Sequence, residues 1–97
     1  MSLLYHITAI NADTGAVFRN DGPLVSGKDS KRELFADLQK KYGRCVSHMY
    51  SGNERVGWVF EKRAEYSDCN DTYMQETWIS VLSETEDGYN YANIKHI

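Results

Sequence analysis

The sequence predicts an α+β fold, in which a four- to five-stranded antiparallel sheet carries one amphipathic helix on one face and the element order is β-β-α-β-β-β. Three observations predict it. A stretch near residues 30–42 has helix start and stop signals and a helical apolar stripe. The segments on either side are short, rich in β-branched and aromatic residues, and separated by turn clusters. A chain of 97 residues has room for one hydrophobic core and not for two, so 1–97 reads as a single α+β domain.

The first strand is read from Leu4 to Ile10, where Leu-Tyr-His-Ile-Thr-Ala-Ile runs into Asn11-Ala12-Asp13-Thr14-Gly15. These five residues tolerate αL and Asx-turn geometry, so they predict a hairpin turn. The return segment, Ala16 to Arg19, is read as short. Asn20-Asp21-Gly22-Pro23 should stop it, since proline removes a donor and restricts its neighbour, and a loop should follow to about Lys28.

The helix is predicted to start at Asp29 or Ser30. Ser30-Lys31-Arg32-Glu33 is a capping box, whose serine and glutamate side chains satisfy each other's orphan amide donors. Gly43 marks its end, after Lys40 and Lys41, which complement the negative pole of the helix. Leu34, Phe35, Leu38 and Tyr42 lie on one stripe that requires a sheet to bury it.

Three further strands are predicted as a meander: Cys45 to Tyr50, Arg55 to about Arg63, and Thr72 to Leu82, joined by turns at Ser51–Glu54 and around Ser67–Asp71. A period of two separates Val56, Trp58 and Phe60 from Gly57, Val59 and Glu61. On the next strand it separates Met74, Trp78 and Leu82 from Tyr73, Thr77, Ile79 and Val81. A loop centred near Cys69 would set Phe60 opposite Trp78 and gather Trp58, Phe60 and Trp78 on one face. The tail from Ser83 to Ile97, with Tyr89 and Tyr91, reads as a short edge strand or a docked coil.

Composition narrows the function classes. Residues 1–60 hold eight Lys/Arg against six Asp/Glu, and residues 61–97 hold three against eight, within a net charge of −3. A negative C-terminal third disfavours general binding to a phosphate backbone, so nucleic acid is not a favoured partner. No apolar run approaches the length of a membrane span and no signal peptide opens the chain, which gives a cytoplasmic expectation with no membrane partner. In that compartment Cys45 and Cys69 are expected as thiols.

Each candidate chemical motif fails on a physical requirement. Gly22-Pro23-Leu24-Val25-Ser26-Gly27-Lys28 has the spacing of a phosphate-binding loop. Asp29 then stands where a hydroxyl should hold magnesium, and there is no room for the parallel sheet behind it. Cys45, His48, Cys69 and His96 are a scattered set for zinc, because residues three apart on a strand face opposite ways. Arg55-Val56-Gly57-Trp58-Val59-Phe60 differs from the strand motif of RNA-binding sheets, where glycine directly follows the basic residue. No catalytic residue, metal ligand or cofactor is therefore assigned.

What remains is aromatic surface. One helix covers only part of one sheet face, and the inventory of twelve aromatic residues is large for this length. About half should fill the core, so the tryptophans and phenylalanines read first as buried, and the sharper hypothesis exposes several of them with Tyr66 and Tyr73. The reading is a small non-enzymatic interaction or regulatory protein that binds a protein partner or self-associates as a homodimer through Trp58, Phe60, Tyr66, Tyr73 and Trp78. An open edge strand offers a second route to pairing. The alternatives are a small enzyme or ligand-binding domain with a site at a dimer interface, and single-stranded nucleic-acid binding by stacking on Trp58, Phe60 and Trp78.

Overall fold

The computed structural model describes residues 2–82, and the predictions for the tail from Ser83 to Ile97, His96 included, lie outside them. Five strands form one antiparallel sheet: β1 (Leu4–Asn11), β2 (Val17–Val25), β3 (Arg44–Ser51), β4 (Glu54–Glu65) and β5 (Thr72–Leu82). The helix α1 (Lys31–Tyr42) lies between β2 and β3 in the chain. Across the sheet the order is β2-β1-β5-β4-β3, so α1 takes the chain from one edge strand to the other. The α+β class, the antiparallel sheet and the order β-β-α-β-β-β are as the sequence predicts.

The helix forms where its signals place it. Ser30 has extended backbone, and its Oγ accepts from the Glu33 amide at 3.2 Å, the first half of the capping box. At the other end Gly43 has φ 99° and donates its amide to the Gln39 carbonyl. The Lys62 ammonium donates to the Lys41 carbonyl at 2.8 Å, satisfying one of the orphan acceptors of the last turn. Lys31 fixes the first turn to β4 through Glu54 at 2.9 Å and the Arg55 carbonyl at 2.8 Å. The helix is thus clamped to one strand at both ends.

Its apolar stripe closes the core. Leu34 and Leu38 pack with Ile7 of β1, Trp58 and Phe60 of β4, and Ile79 and Val81 of β5, while Phe35, Tyr42, Tyr5 and Cys45 complete the margin. Phe35 lies over the β4 aromatics, 5.4 Å from Trp58 and 5.7 Å from Phe60 between ring centroids. Each aromatic side chain buried in this way contributes roughly 1.5–3 kcal/mol of transfer free energy.

Two details depart from the sequence expectations. The segment predicted as a loop after Arg19 is strand, because β2 continues through Gly22-Pro23 to Val25. It is an edge strand, and Gly22 and Pro23 together stand opposite the single residue His6, where the pairing with β1 shifts register. A proline that lacks a donor is tolerated at an edge bulge, although a central strand would exclude it. The second departure is the register of β4 on β5: Val59, not Phe60, faces Trp78, while Phe60 faces Thr77 and Trp58 faces Ile79. The connection runs from Tyr66 to Asp71, centred between Asp68 and Cys69. That offset of half a residue moves the pairing by one position. Trp78 therefore lies on the face turned away from the helix, with Val59, Met49 and Val56, and not with Trp58 and Phe60.

Close packing across the two central hairpin strands depends on Gly57. A Cβ there would collide with the Ile79 carbonyl oxygen and stand 2.5 Å from Met49 Cε. Gly57→Ala should destabilise the protein near the upper end of the ~1–3 kcal/mol range for overpacking, as urea unfolding will measure.

Candidate interaction surface

The sheet runs on beyond the C-terminal end of α1. The pairing alternation puts Tyr73 of β5 on the same face as Thr77 and Ile79, two and three steps past these core residues, where no described helix lies above it. Tyr66 begins the β4–β5 connection and returns its amide to the Asp71 carbonyl. Its ring lies 4.8 Å from that of Tyr73. Phe18 of β2 meets Tyr73 from the other side, edge-on at 6.1 Å with an interplanar angle of 87°. The three rings form a row, with Phe18 51% and Tyr66 38% exposed.

The row is held in place from beneath. Asn11, buried at the end of β1, accepts on Oδ1 from the amides of Asp13 and Thr14, the Asx-turn that folds the first hairpin. Its amide nitrogen donates to the Tyr66 hydroxyl at 2.9 Å. The Ala12 amide donates to the Met74 carbonyl at 2.8 Å, tying the same turn to the start of β5. One asparagine thus shapes a turn and orients a ring from the far end of the chain. Charge borders the row at Arg19, whose Nε donates to Asp21 at 2.8 Å; that hydrogen bond raises the guanidinium pKa. Arg19 also donates to the Tyr42 hydroxyl at 3.4 Å, marking the boundary between the patch and the helix.

The five aromatic residues singled out in the sequence are therefore divided. Tyr66 and Tyr73 come together at the surface. Trp58 and Phe60 are 2% and 0% exposed beneath α1 and belong to the core. Trp78 is half-buried on the opposite face, its indole N–H on Glu76 at 2.8 Å. Sequence reasoning missed Phe18 and Asn11. Phe18 looked like the middle of a short hairpin arm, and its ring contact needs the β2-β1-β5 order, which no local signal carries. Asn11 carries only a turn signal in the sequence, and its bond to Tyr66 spans the chain.

The thiols are separated: Cys45 borders the core and Cys69 is exposed in the β4–β5 connection. Among the described residues no three His, Cys, Asp or Glu side chains converge in a way that could hold a metal ion, and no helix is long and apolar enough to cross a membrane. The phosphate-loop spacing at Gly22–Lys28 begins inside edge strand β2.

Alanine substitution separates core from surface aromatics. Phe60→Ala should cost about 3–5 kcal/mol of unfolding free energy, while Phe18→Ala at the exposed patch should cost less than about 1 kcal/mol; chemical denaturation of the two variants checks both. Comparison with known proteins brings no family to this surface: no family model, no curated protein and no solved structure matches the chain.

Proposed function

We propose that this protein is a non-enzymatic interaction module that binds a protein partner, with a second copy of itself as the first to test, through Phe18, Tyr66 and Tyr73. One observation carries the reading. Three aromatic rings stand together where the sheet outruns its helix, fixed by the buried Asn11 and bordered by charge. Aromatic side chains in a preset arrangement lose little freedom on binding, and interfaces concentrate their energy in such anchors surrounded by polar rims.

Strand addition at the edge is the weaker route. On β2 the Gly22-Pro23 bulge and the Arg19–Asp21 ion pair interrupt the template that a new strand would need. β3 has two register shifts of its own against β4. Side-chain contact through the ring row makes no demand on these edges.

The test is light scattering after size-exclusion chromatography across the micromolar to millimolar range, with wild type beside Phe18→Asp and Tyr66→Asp. Association should be concentration-dependent in the wild type and absent from both variants, while their circular dichroism stays native. A wild type that remains monomeric, with no Phe18, Tyr66 or Tyr73 resonance moving with concentration, contradicts self-association. Association that survives both substitutions places the interface elsewhere.

A further inference from the structure

At the opposite end of α1 from the aromatic row, the first helical turn and β4 border a cavity of about 300 Å³ lined by Lys31, Arg32, Phe35, Arg55 and Trp58. Its floor is aromatic, since Phe35 and Trp58 stand 5.4 Å apart at an interplanar angle of 56°. Its rim is cationic. The Lys31 ammonium is committed to Glu54 and to the Arg55 carbonyl. Arg32 and Arg55 are exposed and form no ion pair with any described residue. Two uncompensated guanidiniums thus share one cavity, beside the positive pole of α1.

An independent observation concerns the floor itself. The Trp58 indole N–H is buried and has no acceptor among the described residues. A buried donor left unmet costs about 1–3 kcal/mol, and such a group in a native fold calls for an explanation. The unmet donor belongs to Trp58, one of the residues that line the cavity.

We propose that this cavity binds a small anion carrying a planar ring, with its carboxylate or phosphate between Arg32 and Arg55 and its ring against Phe35 and Trp58. Guanidinium groups match the planar, bidentate geometry of carboxylate and phosphate oxygens. The half-buried Phe35, beside the buried Trp58, offers aromatic surface on which a flat ring packs. A volume of about 300 Å³ stands at the lower limit of small-molecule pockets, which selects one ring system with one anionic group. This site is distinct from the Phe18–Tyr66–Tyr73 row and stands or falls apart from it.

The experiment is a titration of the full chain, with its tryptophans labelled with nitrogen-15, using indole-3-acetate, adenosine 5′-monophosphate or inorganic phosphate. The Trp58 indole N–H signal should move saturably, with the Trp78 signal as the internal reference. Saturation by the nucleotide at lower concentration assigns a phosphate ligand, and by the indole acid a carboxylate; inorganic phosphate alone should bind about tenfold more weakly or worse. Arg32→Ala and Arg55→Ala should each weaken binding about tenfold, whereas Arg63→Ala, farther along β4, should leave it unchanged. The exposure of both arginines keeps these variants folded. A Trp58 signal that neither ring-bearing probe moves in the millimolar range overturns the proposal, as does binding that persists in both arginine variants.

Discussion

The pairing of Val59 with Trp78 is the constraint on which the rest of the molecule depends. β4 and β5 are the longest strands and occupy the middle of the sheet with β1. Their side chains alternate between faces, so one pairing decides what the helix covers. In the observed register Trp58 and Phe60 share a face with Ile79 and Val81, and with Ile7 from β1. The stripe of α1 seals this set. Moving β5 by one residue would bring Trp78 under the helix and turn Ile79 and Val81 away from it.

That arrangement separates structure from surface along the helix axis. Over its middle, α1 buries the large aromatics of β4 in the core. Past its C-terminus no described helix covers the sheet, which bears the Phe18–Tyr66–Tyr73 row. At its N-terminus the packing leaves a gap between helix and strand, lined by Trp58 and Phe35 and guarded by Arg32 and Arg55. The two surfaces differ in chemistry. One is a convergence of rings suited to another protein surface, and the other is a cationic recess suited to a small anion.

Local signals made much of the fold legible. Ser30 with Glu33 and the glycine at 43 bounded the helix to within a residue, because capping is written in adjacent residues. The Asn11–Gly15 turn and the meander were equally readable. The length of β2 was not, since whether Gly22-Pro23 ends a strand depends on the strand lying at an edge, and edge position is a property of the whole sheet. The β4–β5 register was also hidden, because loop residues Tyr66 to Asp71 allow a centre on Cys69 or just before it, and both strands are apolar on both faces. The candidate surface inherited that ambiguity. Tyr66 and Tyr73 were found because they flank the same connection, whereas Phe18 and Asn11 reach them from the other end of the sheet.

Cross-strand nuclear Overhauser contacts between β4 and β5 report this register directly. Contacts are expected from the backbone of Trp78 to Val59, from Thr77 to Phe60 and from Ile79 to Trp58. Contacts pairing Trp78 with Phe60 instead would place both tryptophans on the helix side and contradict the assignment of core and surface made here.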